Sequence, residues 1–597
     1  MTGSTPPSPG RAAAAAGPRW CVVGRRGDGW SLVDIGAGGD AGSAVPVSDA
    51  ELPAAVAERE RARAPRWVWC DTPHVYAPLL AAGVRVARCH DLRLAHQILR
   101  HAAAAGGGPA ARELRSADEW NAPPRAAPVP PAAAPGAPML FDDVIAAAPE
   151  PGGVPESVEA ALAEFERQRA ALGAASPPSG LARLVAAESA GALVAAELTA
   201  AGLPWDADEH DRILAAELGP RPPLGVKPER MQRIGADVRR HLGAPDAPLD
   251  SPPRLLRVLQ AAGIDVASTS RWELREHEHP AIAPLLEYKK LSRLLTANGW
   301  AWLDDWVRDG RYRPVYVPGG VVTGRWASSG GGALQIPRML RPAIRADPGW
   351  VLVSADVAQL EPRVLAAMAG DRAMAAAGSG KDLYAGIVES GAVATREEAK
   401  YAVLGAMYGA TSGTGGRLVP RLRRAFPAAM RLVDDAAERG AAGGTVSTWL
   451  GRSSPAPGAE WNAVQSAASL PGASARDEAL ARRLARERGR FTRNFVVQGT
   501  AAEWALCWLA ELRTRLAGLD AAPADRTARA SGAVFARRPH LAFFLHDEVI
   551  VHAPLAQADA VSSAIEESAR AAGRLLFGDT PVEFPLDLRA SERAGKS

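Results

Sequence analysis

Residues 395–409 read TREEAKYAVLGAMYG. Arg396, Lys400, Leu404 and Tyr408 recur every four residues. At 3.6 residues per turn they drift slowly around one broad helical face. Thr395, followed three positions later by Glu398, predicts a capping box that fixes the helix start. Gly405, Ala406, Gly409 and Ala410 keep the far end thin, so that something bulky can lie close to it. A face showing two cations, an apolar residue and a phenol suits a ligand with a phosphate tail and a flat ring, such as a nucleoside triphosphate. The same residues also suit a solvated face with a core tyrosine, and this stretch alone leaves both open.

Aspartates flank this stretch at the ends of predicted strands. Asp356 closes the apolar run Trp350 to Ala355, and Asp547 lies at a three-residue tip between Leu541–Leu545 and Val549–His552. An acid at the end of a buried strand is costly unless it is partnered. Two such acids brought together repel and bind divalent metal instead, and oxygen ligands suit magnesium or manganese. Taken singly, each is more often an ordinary turn residue. A second row spaced by four, Arg490, Asn494 and Gln498, follows Arg482, Arg483, Arg486 and Arg488. Arg reads phosphate, while Asn and Gln offer donor and acceptor to base edges; the alternative is a solvated basic helix. Thr323-Gly324-Arg325 and Leu334-Gln335-Ile336-Pro337-Arg338, with Arg341, are loop residues fit for a backbone groove or for a plain surface.

At 597 residues the chain holds more than one domain. It is 47% hydrophobic and 23% charged, which is ordinary for globular protein. A net charge of +3 permits a nucleic-acid partner without arguing for one. Cys21, Cys70, Cys89 and Cys507 lack metal spacing and read as free thiols of a reducing compartment. No uninterrupted apolar run reaches the roughly 18 residues of a membrane span. The Ala12–Ala16 run breaks at Gly17-Pro18, too soon for a secretory signal. A cytoplasmic, monomeric protein with no membrane partner is expected.

Strand-like runs at Trp20–Val23, Ser31–Val33 and Trp67–Trp69, with helical patterns at 51–63 and 92–100, predict a small α/β unit over 1–101. Residues 102–156 are rich in Ala, Pro and Gly and predict a linker, in which Leu140-Phe141 is an isolated apolar pair. Residues 157–597 form the remainder. They are helical to about 300, including a helix near 284–298 that carries Lys289, Lys290 and Arg293, and mixed thereafter.

In order and spacing, the segments over about 180–590 resemble the polymerase domain of the bacterial DNA polymerase I family, also called family A. Ser354 to Arg363 (SADVAQLEPR) resembles motif A, and Arg396, Lys400 and Tyr408-Gly409 fall on motif B. His546-Asp547-Glu548 resembles motif C, and Glu287 to Leu291 the thumb–palm junction. Arg490, Asn494 and Gln498 resemble the helix that follows primer and template, and the Thr323 and Leu334 loops the segment before motif A. The implied fold is α+β and multidomain: a right-hand palm, fingers and thumb, preceded by a small α/β RNase H-like (exonuclease-like) domain.

The resemblance implies template-directed addition of dNTPs to a primer 3′ end, in repair or replication gap filling. Asp356 and Asp547 would hold two Mg2+ ions (Mn2+ possible), with the Val357 carbonyl as a further ligand. Arg396 and Lys400 would bind the triphosphate, and Lys400 would also protonate or neutralise the leaving group. Glu361 would crowd the sugar 2′ position, and Tyr408 would stack by the template base. Gln359, Leu404, Tyr384 and His546 complete the nucleotide site. Arg490, Asn494, Gln498, Arg325, Gln335, Lys289, Lys290 and Arg293 would hold DNA. Two rival readings are a phage-type single-subunit RNA polymerase, opposed by Glu361, and a non-catalytic DNA-binding scaffold, opposed by the retention of Asp356, Asp547 and Lys400.

The chain also departs from the family pattern. Leu404 stands where the family has Phe or Tyr, Tyr384 where a phosphate-contacting His is usual, and Pro362 in the first turn of the helix after motif A. A slower or less accurate enzyme is expected. The first unit lies where the family has a 3′–5′ exonuclease, which needs Asp-x-Glu in an opening strand. Val33-Asp34-Ile35-Gly36 lacks that Glu, Asp71 and Asp91 read as remnants, and no Tyr-x-x-x-Asp follows. No proofreading is expected, and no 5′-nuclease domain. Leu140-Phe141 is a candidate docking peptide for a sliding clamp, with a chance apolar pair as the commoner alternative.

Overall fold

The computed structural model describes residues 19–123, 153–176, 178–223, 225–332, 336–380, 382–409 and 413–594. The N-terminal unit is built on a five-stranded sheet of order β3-β2-β1-β4-β5. Its strands are β1 (Trp20–Arg26), β2 (Gly29–Ile35), β3 (Val45–Val47), β4 (Arg66–Trp69) and β5 (Cys89–Asp91). β1 to β3 are antiparallel and β1, β4 and β5 parallel. The parallel strands are buried and read as continuous apolar runs, Cys21-Val22-Val23 and Trp67-Val68-Trp69. β3 and β5, at three residues each, are too short to leave a period in the sequence. Helix α1 (Thr72–Ala81) also escaped the sequence reading, because it carries Pro73 in its first turn and Pro78 inside. Helix α2 (Leu92–Leu99) lies at the 92–100 pattern, capped by Asp91.

The structure departs from the expected linker at both ends. Residues 103–121 form short helical turns in which Ala105, Ala111, Leu114 and Trp120 are buried. Alanine is a strong helix former, and its small side chain lets these turns pack against Leu99 and Leu184. At the far end, helix α3 (Val158–Ala174) belongs to the first unit rather than to the second: Val158, Ala161 and Phe165 share a core with Val22 and Trp67. Gly24 makes this possible, since a Cβ there would sit 2.5 Å from Val158 Cα. Leu140-Phe141 lies outside the described residues.

Helix α4 (Pro178–Ala201) joins the two units. Leu193 and Ala201 enter the first core, and Val194, Ala195 and Leu198 the second. Its Gly180–Ala201 stretch is long and apolar enough to cross a bilayer, but 72% of its most apolar window is buried inside the protein. The joint carries a buried polar network. Tyr76 Oη donates to Glu197 Oε1 at 2.7 Å, Arg85 donates to both Glu197 oxygens at 3.0 and 2.9 Å, and Arg513 Nε donates at 3.1 Å. Burial alone would raise the Glu197 carboxyl, but Arg513 and Arg85 hold it down at about 2.

Next comes a helical bundle that includes helix α5 (Ile282–Asn298), cored by Leu285, Tyr288, Leu291 and Leu294. Beyond it, strands β6 (Trp350–Val357), β7 (His540–Leu545), β8 (Glu548–Pro554) and β9 (Leu586–Ser591) form an antiparallel sheet of order β7-β8-β6-β9. Helix α6 (Leu360–Ala369) follows β6; α7 (Leu383–Glu389) and α8 (Arg396–Tyr408) stand above it. Helix α9 (Ala475–Ala517, 43 residues) runs under all of these, and α10 (Ala558–Phe577) backs the sheet with it through Trp504, Trp508, Val561 and Ile565.

α8 buries Ala399, Ala402, Val403, Ala406 and Met407 and exposes Arg396, Lys400 and Tyr408, as its periodicity predicts. Half of the expected capping box is present. Thr395 Oγ1 accepts from Glu398 N at 3.1 Å, but Glu398 Oε2 turns back to Ala394 N at 2.9 Å rather than to Thr395.

Candidate active site

The β7–β8 hairpin turns on two residues, not three: Leu545 pairs with Glu548, leaving His546 and Asp547 at the tip. His546 takes φ +56°, and Asp547 N donates to the Leu545 carbonyl at 2.7 Å, an i to i+2 bond that closes a tight turn. A non-glycine residue held there is strained, and the neighbouring strand supports it. Val357 N donates to the Asp547 carbonyl at 2.9 Å, while Asp356 lies opposite Glu548 in the ladder. The sheet thereby brings Asp356 and Asp547 together. Burial, then the Asp356 charge, push the Asp547 carboxyl up to about 6. Arg341 clasps Glu548 through two bonds of 2.7 and 2.6 Å, so the third acid of this cluster is held as a salt bridge. The sequence reading placed Arg341 only in a general groove; the usable signal was a buried carboxylate needing a cation.

A cleft opens beside Asp547. Arg325, Gln359, Glu361, Tyr384, Leu404 and His546 line it, floored by Ala501, Ala502 and Ala505 of α9. Glu361, in the first turn of α6, is fixed from two sides: Arg325 pairs with it, and Tyr408 Oη donates to its Oε2 at 3.0 Å. Burial and then the Glu361 charge push both the Tyr384 and Tyr408 hydroxyls up to about 12, so both stay protonated donors. Gln359 stands at φ +49° at the β6–α6 corner and accepts from Leu383 N at 3.2 Å, tying the sheet to α7. Burial and then Arg325 lower the His546 pKa.

The row on α9 meets this cleft from below. Thr323 Oγ1 donates to Gln498 Oε1 at 2.9 Å. Asn494 is half-buried and Arg490 exposed. The thin end of α8 proves to accommodate Arg490 itself: Gly409 takes φ +71°, and a Cβ there would be 2.8 Å from Arg490 Cγ. Arg493, which the sequence reading missed, is buried, donates to the Ala406 carbonyl at 2.8 Å and pairs with Asp434. An Arg satisfying a carbonyl in the last turn of a helix is a recognisable cap.

Further along α9, Glu503 is buried, accepts from Leu450 N at 2.9 Å and from Thr448, and is raised to about 7 mainly by burial. That lies above the ordinary 4.5, so the folded chain keeps a proton that the unfolded chain has released. Its stabilising contribution is full below the ordinary value and is lost as pH rises toward and through about 7. Urea unfolding at stepped pH should therefore show wild type losing stability relative to Glu503→Gln from pH 5 to 7.

Other expected site residues lie elsewhere or are engaged. Arg396 and Lys400 are exposed on α8 and do not line the cleft. Arg396 Nε donates to Asp382 at 2.6 Å and its guanidinium lies over the Tyr384 ring, 5.6 Å from the centroid. Lys289 is half-buried and bonded to the Thr269 carbonyl, its pKa lowered by burial and by Arg293, so it braces the bundle. Lys290 is exposed and 3.4 Å from Glu217; Arg293 is exposed. Gln335 lies outside the described residues.

A sequence model of DNA polymerase family A matches residues 231–593. The chain is 33% identical over 248 residues to DNA polymerase I of Chloroflexus aurantiacus, covering 37% of this chain and 25% of that protein. It is 26% identical over 440 residues to the thermostable DNA polymerase I of Thermus aquaticus, covering 64% of this chain and 47% of that one. The chain thus spans less than half the length of these relatives. In fold it is similar to the POL domain of Pol1 from M. smegmatis, solved in complex with DNA primer-template and dNTP, with a TM-score of 0.65 at 17% identity, covering 96% of this chain and 95% of that one.

Proposed function

The chain belongs to DNA polymerase family A, and on that premise we propose that it is a template-directed DNA polymerase that adds dNTPs to a primer 3′ end. The observation that carries this reading is that the bond from Val357 N to the Asp547 carbonyl sets Asp356 near Asp547, and that Asp547 lines a cleft together with Glu361, which Tyr408 bonds. These residues fit Mg2+ or Mn2+: the donors are hard oxygens, and the repulsion that lifts the Asp547 carboxyl to about 6 is what a divalent cation relieves. Among the described residues no group of three or more His, Cys, Asp or Glu forms a metal cluster.

Asp356, Asp547 and the Val357 carbonyl would hold two ions, which when bound activate the attacking hydroxyl and neutralise the leaving phosphate. Glu361, immobilised by Arg325 and Tyr408, blocks a sugar 2′ hydroxyl. Tyr408 presents its ring to the template base and enforces pair shape. Arg396 exchanges Asp382 for the triphosphate when substrate arrives, and Lys400 delivers charge or a proton to the departing pyrophosphate. Leu404 gives the sugar only an apolar contact and Tyr384 a neutral hydroxyl, which favours slower insertion.

The first unit is read as an RNase H-like, exonuclease-like domain without proofreading. Its order β3-β2-β1-β4-β5 supports the first part. The second is supported by Asp71 and Asp91, both buried and in use: Asp71 accepts from Arg93 at 3.0 Å, and Asp91 caps α2 and accepts from Thr72 N at 2.7 Å. Repair or gap filling in the cytoplasm as a monomer, and clamp docking through Leu140-Phe141, complete the proposal. Leu140→Ala should release a linker peptide from a sliding clamp.

A primer-extension assay tests the reading. Wild type is expected to incorporate dNTPs, to reject rNTPs and to leave a mismatched primer end uncut. Glu361→Ala is expected to raise rNTP use by roughly 100-fold, since removing a clash costs the wrong substrate its penalty. Equal use of both sugars by wild type, or loss of the mismatched nucleotide, contradicts the corresponding part.

A further inference from the structure

Helix α9 does not stop at the cleft. N-terminal to Gln498 and Asn494 it continues through Arg490, Arg486 and Arg483 to Arg476. At about 100° per residue, Arg476, Arg483, Arg486, Arg490 and Asn494 fall within about 80° of one another around the axis. The four arginines are exposed, and among the described residues Arg476, Arg483 and Arg486 have no hydrogen bond or salt bridge. One acid, Glu487, shares the face; Arg482 lies off it and pairs with Glu478 at 3.1 Å.

The opposite side of the helix is the one the protein covers. Gln465 donates to the Ala481 carbonyl at 2.9 Å, Arg488 to the Gly444 and Pro455 carbonyls at 3.1 and 2.9 Å, and Thr492 to the Ala436 carbonyl at 2.8 Å. Gly489 faces the Ala437 carbonyl, where a Cβ would be 2.9 Å away. Packing on that side turns the arginine stripe toward solvent. From Arg476 to Arg490 it extends about 21 Å, the length of about six phosphates along one B-form strand.

We propose that this stripe is a second DNA-binding track, which holds the phosphodiester backbone of the template ahead of the insertion site. The occupant follows from charge and from continuity. The stripe begins at Arg490, packed on Gly409 next to Tyr408, and runs away from the Glu361 end of the cleft. The inference rests on the polymerase reading, in which Tyr408 marks the template base being copied, so the strand beyond it is uncopied template.

The test compares wild type with the triple variant Arg476→Ala, Arg483→Ala, Arg486→Ala. Three primer–templates are used: one ending just past the primer, one with a long single-stranded template overhang, and one gapped by an annealed downstream strand. Binding to the two longer substrates is expected to weaken roughly 10-fold, and the slope of log Kd against log salt to fall by about 2 on a single strand or about 3 on downstream duplex. Affinity for, and extension of, the short substrate should match wild type. Equal loss on all three substrates, or an unchanged salt slope on the longer two, overturns the track while leaving polymerase activity standing. Failure of wild type to bind or extend any of them removes the polymerase reading itself, and the track with it.

Discussion

Asp547→Ala should lower the rate of templated nucleotide addition by at least about 10³-fold, with primer–template affinity nearly unchanged. The asymmetry follows from where Asp547 sits. It lies at a hairpin tip whose backbone is strained at His546 and tied to β6 through Val357 N. Its carboxyl, pushed up to about 6 by burial and by Asp356, repels its neighbour instead of cementing the fold. On the proposed function, removing it takes away charge needed only for chemistry and relieves that repulsion. Measured without divalent cations, the variant should be at least as stable as wild type, the usual exchange between activity and stability at a strained site. Rapid-quench insertion kinetics with a fluorescence Kd check the first pair of expectations, and urea unfolding the last. A variant that inserts at near wild-type rate, or that unfolds before it can be assayed, contradicts this account.

Arg513→Ala should destabilise the junction between the two units by about 3 kcal/mol. Arg513 and Glu197 side chains are 7% and 6% exposed, and Arg513 also donates to the Ala87 carbonyl at 2.7 Å in the first unit. Its loss leaves Glu197 with Arg85 and Tyr76 only, and the Val86 and Ala87 carbonyls of the first unit facing an emptied space. The urea midpoint should fall, and the peptide over 84–93 should gain hydrogen exchange before the sheet β6–β9 does. A loss under about 1 kcal/mol would mean the junction is held by apolar packing alone.

What the sequence disclosed followed from how locally each feature is encoded. The face of α8 and the row on α9 leave regular spacings, and the strand before Asp356 leaves a continuous apolar run; each forms the predicted element, with β6 running through Asp356 to Val357. β3 and β5 are three residues long and leave none. Residues 103–121 share the composition of a linker, but their alanines are small enough to pack against Leu99 and Leu184, a contact no local pattern encodes. The site divides the same way. Asp356, Asp547, Glu361 and Tyr408 are legible as motif positions. The clasp of Arg341 on Glu548, the cap of Arg493 on α8 and the bond from Lys289 to Thr269 depend on partners tens or hundreds of residues away. Lys289 is the example: a lysine read from its outer helical face as a phosphate contact has its amine bonded to the Thr269 carbonyl.

Single-nucleotide incorporation by wild type and Asp356→Ala, on four templates that differ only in the base to be copied, asks whether carboxylates 356 and 547 serve addition chosen by a template. Wild type should add the complementary dNTP on each template and discriminate against the other three, and Asp356→Ala should add none at a measurable rate. Incorporation independent of the template base, or retained by Asp356→Ala, would contradict that role.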